Sequence, residues 1–197
     1  MENKQLKLIE DRIHRSAEVK YAMANDFRLL ETIEKVAQEI ADIYRKRGKV
    51  LFCGNGGSAA DAQHLAAELS GKFYIDRDPL FAEALHVNTS YLTAVANDYS
   101  FDIVYERLIK AKGTKGDALI GLSTSGNSVN IIKAIEIANQ KGMVTIGLTG
   151  EGGGKMSNLC KYLIEVPSKD TPCIQESHIL IGHILCEIVE KELFGND

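Results

Sequence analysis

The sequence predicts an α/β domain: a five-stranded parallel sheet flanked by helices, with two extra helices ahead of it. Three observations carry the prediction. Short buried-strand patterns recur at 50–53, 81–87, 117–122, 143–149 and 161–166, and amphipathic helical patterns lie between them. That alternation is what right-handed β–helix–β crossovers produce. Two of the strands break at their carboxyl ends into turns rich in glycine or serine, at the edge where such sheets hold ligands.

Residues 1–24 read as a helix, with Leu6, Ile9, Ile13 and Ala17 at helical spacing among charges, and His14 facing solvent. Asn25-Asp26 interrupts it and can cap a second helix over 27–47, whose apolar residues include Leu30, Ile33, Val36, Ile40 and Tyr44. Two helices before the first strand exceed what one sheet needs. Their apolar faces either bury against another subunit or cover the sheet. Gly48 is placed at the end of the second helix.

The first strand runs into Gly54-Asn55-Gly56-Gly57-Ser58 and then into an alanine-rich helix ending near Gly71. Residues 72–79 read as a loop whose cations, Lys72 and Arg77, meet a phosphate or stand in solvent. The second strand, 81–87, ends in His86-Val87-Asn88, with His86 expected to be hydrogen-bonded at the strand end. Helical segments follow at 89–97 and 100–112, with Asn97-Asp98-Tyr99 as the turn between them. The third strand breaks into Ser123-Thr124-Ser125-Gly126-Asn127-Ser128 before a helix over 127–141. A mobile glycine loop, 150–154, separates the fourth strand from the fifth. Pro167 and Pro172 bracket a polar loop. A long helix spans 174–194, with Gln175 in its first turn, His178 three residues on, and His183 inside an apolar run. A histidine so placed needs a partner, commonly a backbone carbonyl. With strand order 2-1-3-4-5, as in flavodoxin, both special turns share one crevice.

The whole-chain properties narrow the classes. The 197 residues suffice for one domain with a sizeable core. A net charge of −4 argues against general nucleic-acid binding, which rests on neutralising phosphates. No apolar run reaches membrane-spanning length, and the charged start does not resemble a signal peptide, so no membrane partner and a cytoplasmic location are expected. Cys53, Cys160, Cys173 and Cys186 are widely spaced without a CxxC pair, as reduced core cysteines would be.

The chemistry concentrates in three places. In the first turn the glycines permit positive φ and close backbone approach, and the helix start offers free N–H groups to an anion. The turn lacks the spacing of a dinucleotide fingerprint and the Lys-Ser/Thr of a Walker loop, and by itself it is compatible with a plain turn. His64 and Glu68, four apart, share one face of the following helix, either as a solvated pair or as a site for metal or proton chemistry. Four hydroxyl residues in six at 123–128 form a candidate phosphate cradle, against the alternative of simple N-capping. An anion anchor with a His/Glu pair beyond it suggests a small phosphorylated substrate.

The combination GNGGSAADAQH-x3-E, Ala96-Asn97-Asp98, STSGNS and IQESH-x4-H resembles the sugar isomerase (SIS) family across nearly the whole chain. Within it, the resemblance is to members that interconvert sedoheptulose 7-phosphate and D-glycero-D-manno-heptose 7-phosphate, the first step toward ADP- or GDP-heptose and lipopolysaccharide. It implies a single SIS domain over 1–197, with 1–47 as a helical extension used in oligomerisation. It also implies a homotetramer with shared active sites and one Zn²⁺ per subunit held by His64, Glu68, Gln175 and His183. A glutamine amide is a poor zinc ligand, which points to a weakly held ion. Gln175 and His183 are about 80° apart on an ideal helix, so they converge only if Gln175 lies in a loosened first turn.

For aldose–ketose isomerisation through an enediol, the resemblance assigns Glu68 as base and His183 as acid, with Asp61 orienting His64, aiding ring opening or standing as a plain surface carboxylate. Ser123, Thr124, Ser125 and Ser128 would cradle the phosphate. Asn55, Gly56, Gly57, Asn97 and Asp98 would line the sugar with Gln175 and Glu68, and Ser58 is a further candidate. The alternatives are a non-catalytic phosphosugar-binding regulator, which has no need of Glu68 or His183, and an isomerase of another phosphosugar.

Overall fold

The structure is a computed structural model and describes residues 4–195; the ends of the expected 1–24 helix and 1–197 domain at 1–3 and 196–197 lie outside the described residues. Helices α1 (Lys4–Ala24) and α2 (Phe27–Arg45) precede a five-stranded sheet of β1 (Val50–Gly54), β2 (Ala82–Ala84), β3 (Ala118–Leu122), β4 (Val144–Thr149) and β5 (Tyr162–Glu165). Helix α3 (Gly57–Ser70) follows β1. Helices α4 (Thr89–Asp98) and α5 (Val104–Lys112) follow β2, α6 (Val129–Gln140) follows β3, and α7 (Thr171–Phe194) closes the described chain. All strand pairs are parallel, as the sequence predicted, and the order is β2-β1-β3-β4-β5, the flavodoxin type under which both special turns share one crevice.

The sheet divides the core in two. Strand side chains alternate between its faces, so Val50 and Phe52 pack with α2, α3 and α7. Leu51 and Cys53 pack on the other face with α4, α5 and α6. Cysteines 53, 160, 173 and 186 are all free, and all but Cys160 are buried.

Several local expectations change. Asp26 caps α2 by accepting from the N–H groups of Arg28 and Leu29, as expected. The helix ends at Arg45, and Arg47 rather than Gly48 takes the left-handed conformation (φ +62°). A Cβ at Gly48 would lie 2.6 Å from Ile43 Cγ2, so close packing on α2 requires the glycine. Leu30 points outward and Leu29 inward. Strand β2 stops at Ala84, short of His86, whose buried Nδ1 has no hydrogen-bond partner among the described residues. The expected satisfied histidine is therefore not observed, and burial lowers its pKa. The glycine loop at 150–154 is tied down: Gly150 N–H donates to Thr124 O and Glu151 N–H to Ser168 O, while Gly126 O accepts from Met156 N–H just beyond.

Helix α7 starts at Thr171, with Pro172 in its first turn, where a missing N–H costs nothing. It runs parallel to α3. Gln175 meets Gly57, Gly182 meets Leu65, and Glu190 meets Phe73 just past the end of α3. At the middle of this seam a Cβ on Gly182 would stand 2.4 Å from both methyls of Leu65.

Two features generate predictions. Ala at 182 overpacks the seam by about 1–3 kcal/mol, against about 1 kcal/mol regained in helix propensity. Urea unfolding of Gly182→Ala is expected to show a net loss of up to about 2 kcal/mol; a gain would mean that Leu65 yields freely. Asp117, buried before β3, accepts from Lys49 N–H (3.1 Å), Thr114 N–H (2.8 Å) and Thr114 Oγ1 (2.7 Å), and pairs with Lys49 Nζ at 2.6 Å. Burial alone would raise its carboxyl, but these donors outweigh it and hold the pKa below the ordinary carboxylate value. The stabilisation is present above the unfolded pKa and lost as pH falls through the lower folded one. Asp117→Asn is expected to cost about 1–3 kcal/mol at neutral pH. Its deficit against the native chain should shrink below about pH 4; a pH-independent deficit would remove the charge from the account.

Candidate active site

The first turn is built for close approach. Gly56, at the N-cap of α3, has φ +57°, and no side chain caps the helix; Ser58 N–H and Ala59 N–H instead donate back to Asn55 O and Gly56 O. A Cβ at Gly57 would lie 2.6 Å from Gln175 Nε2, so the α7 amide rests directly on the turn. Gln175 sits in a regular helix, in the second turn because α7 begins early, and not in the loosened first turn expected. Ser58 is buried. The hydroxyl of buried Tyr105 donates to Gly54 O beneath the turn.

The serine turn stands beside it on the neighbouring strand. Ser128 occupies the N-cap of α6, yet its hydroxyl makes no capping bond and meets Ser123 Oγ at 2.9 Å. Simple N-capping therefore does not explain the four hydroxyls. Ser125 Oγ accepts from Asn127 N–H, and Thr124 and Ser125 line a cleft with Glu151, Ser168, Lys169 and Thr171. Sequence reading missed this far wall, because it arrives from 26 or more residues away with no motif of its own. It also missed Asn130. The buried Asn130 and Asn55 exchange two amide hydrogen bonds of 2.9 Å and join the two turns.

His64, Glu68 and His183 come together. His64 Nε2 lies 3.0 Å from Glu68 Oε1 and 3.3 Å from His183 Nε2, and one ligand atom from each residue falls within 4.8 Å of the others. Two imidazole nitrogens and a carboxylate oxygen form a donor set that suits a zinc-type ion. His183 is half-buried with Phe73 5.6 Å from its ring, so it is not the carbonyl-bonded core histidine. That residue is His178, which is fully buried against Thr149 O, its pKa pushed down to about 4 by burial despite that bond.

Asp61 is half-buried, and its Oδ2 has no partner among the described residues. Burial raises its pKa while the nearby His64 and His183 rings oppose the rise, which sets it apart from a plain surface carboxylate. Asn97 and Asp98 end α4, exposed and bonded to one another, not in a turn between helices. Arg77 is not a phosphate ligand or a solvated cation: its side chain is 2 % exposed and paired with Glu190 at 3.1 Å.

Comparison with known proteins agrees with this geometry. The family model described as the SIS domain matches residues 20–150. The chain is 52 % identical over 188 residues to the phosphoheptose isomerase of Aneurinibacillus thermoaerophilus, covering 95 % of each. Among solved structures, the phosphoheptose isomerase of Neisseria gonorrhoeae superimposes with a TM-score of 0.90 at 40 % identity, over 95 % of this chain and all of that one. The Francisella tularensis phosphoheptose isomerase gives 0.92 at 36 % identity, over 96 % of this chain and 100 % of that one. With a matching family model, a shared fold and half its residues in common with such a relative, the chain belongs to the SIS-domain family, in its phosphoheptose isomerase group.

Proposed function

We propose that this chain interconverts sedoheptulose 7-phosphate and D-glycero-D-manno-heptose 7-phosphate by aldose–ketose isomerisation, supplying a pathway to nucleotide-activated heptose. The observation that carries the reading is the convergence of His64 and Glu68 from α3 with His183 from α7. A phosphosugar binder needs the serine turn but has no use for that cluster. The distance along α3 from Gly57 to His64 is about 10 Å at the helical rise, the scale of an extended sugar phosphate.

The phosphate is held by the hydroxyls of Ser123, Thr124, Ser125 and Ser128 and the start of α6, whose positive dipole end favours it. Asn55, Gly56, Gly57, Asn97, Asp98 and Gln175 line the sugar, with Ser58 behind the turn. Glu68 removes the proton from C1 of the ketose while His183 protonates the C2 carbonyl oxygen, giving the enediol. Return of the carbon proton to C2 and loss of the O1 proton yields the aldose. Asp61 orients the imidazoles from beneath. His64, Glu68, His183 and Gln175 would hold a weakly bound Zn²⁺. When bound, the ion supplies Lewis-acid polarisation of the reacting oxygens.

The same reading makes the protein a cytoplasmic homotetramer with sites shared between subunits and residues 1–47 at the contacts. It is supported by Leu6, Ile9 and Ile13 of α1, which are 55–64 % exposed along one helix face. No helix among the described residues is long and apolar enough to cross a membrane.

Glu68→Gln is expected to lower kcat on sedoheptulose 7-phosphate by about 10²–10⁴-fold with KM little changed; full turnover by the variant would remove Glu68 as base. His64→Ala should weaken Zn²⁺ binding, read by calorimetry on metal-stripped protein, by at least about tenfold. Native affinity in that variant would take His64 out of the ligand set.

A further inference from the structure

One buried ion pair has no part in the reaction scheme and lies directly behind the reacting cluster. Arg77 and Glu190 are 2 % and 1 % exposed. Glu190 accepts from the N–H groups of Phe73 (3.1 Å), Tyr74 (2.7 Å) and Ile75 (2.8 Å), and from Arg77 Nε (3.1 Å). Burial alone would raise its carboxyl, and those donors outweigh it. The guanidinium in turn donates to the carbonyls of Glu68 (3.2 Å), Leu69 (2.9 Å) and Gly71 (3.1 Å). These belong to the end of α3, where carbonyls lack helical partners and a cation complements the dipole.

Each arm of the pair leads to a reacting side chain. Arg77 holds the backbone of Glu68 itself. Glu190 is seven residues beyond His183 on α7, about 20° around the helix from it, and so on the same face. The backbone that Glu190 grips carries Phe73, whose ring lies 5.6 Å from that of His183, tilted by 32°. Buried ion pairs are weak contributors to stability, because desolvation offsets their attraction. This pair joins the end of α3, the loop after it and α7 at the one place where two helices must present Glu68 and His183 to each other.

We infer that Arg77 and Glu190 are positioning residues: with Phe73 they set the separation and ring orientation of the Glu68–His64–His183 cluster. The geometry stands without the isomerase reading; the catalytic consequence rests on it.

The test is Arg77→Lys, which keeps the charge and loses the fork that reaches several carbonyls at once. The first readout is the ¹H–¹³C imidazole spectrum of His64 and His183 in the full chain at one pH, free of metal. Arg77 touches neither ring, so both sets of resonances are expected to shift only if the cluster has moved. The second is turnover of sedoheptulose 7-phosphate. There kcat is expected to fall about ten- to a hundredfold with KM within about twofold, since the phosphate turn is undisturbed. Unchanged ring spectra overturn the inference whether or not the protein is active. Shifted rings in a chain whose native form does not turn over the substrate uphold the geometry and count against the isomerase reading alone. Should Arg77→Lys not fold, Phe73→Leu leaves the ion pair whole. It is then expected to shift the His64 resonances and lower kcat, and native values of both overturn the inference.

Discussion

The site depends on how closely α3 and α7 can lie side by side. Neither helix carries the whole cluster: α3 brings a carboxylate and an imidazole, and α7 brings the second imidazole. Gly182 lets the two axes approach where Leu65 fills the seam, one residue from His64 and His183 on their respective helices. The parallel run then brings Gln175 to the glycine turn at one end and Glu190 to the close of α3 at the other. A side chain at 182 would widen the gap that every one of these contacts spans.

A second constraint comes from the sheet. Strands β1 and β3 are neighbours because the strand order reverses between them, so the turns that follow both open on the same edge. The Asn55–Asn130 amide pair binds the turns to each other, and neither N-cap residue caps its helix with a side chain, although Asn130 Oδ1 also accepts from Ile131 N–H in the first turn of α6. The positive ends of the two helices are what an anion can use, and the Ser123–Ser128 pair, in which one hydroxyl donates to the other, keeps one further O–H donor beside them.

Buried charge is managed in two different ways. Asp117 and Glu190 are buried carboxylates surrounded by donors, and each gathers backbone N–H groups of a loop that has no secondary structure to satisfy them. Asp61 is the contrast: its carboxylate is half-buried, one oxygen has no donor among the described residues, and it faces two imidazoles. A carboxyl left short of partners beside two imidazoles fits a site, whereas fully satisfied ones fit a scaffold.

Much of this was legible in the chain. Alternating strand and helix patterns determined the parallel sheet, because hydrophobic periodicity is local. The glycine and serine turns, the His64/Glu68 spacing and the Asp26 cap were readable for the same reason: each is a relation between residues a few positions apart. The choice between histidines was not. His178 and His183 share one apolar helix, and only the packing of α7 decides that the former meets Thr149 O in the core while the latter meets His64. The fate of Arg77 was equally hidden, since its partner is 113 residues away. Sequence alone determined which elements form and which residue types are available for chemistry. Tertiary structure decided which of them meet, because a contact between distant segments depends on helix register and close approach, and neither is written in any local pattern.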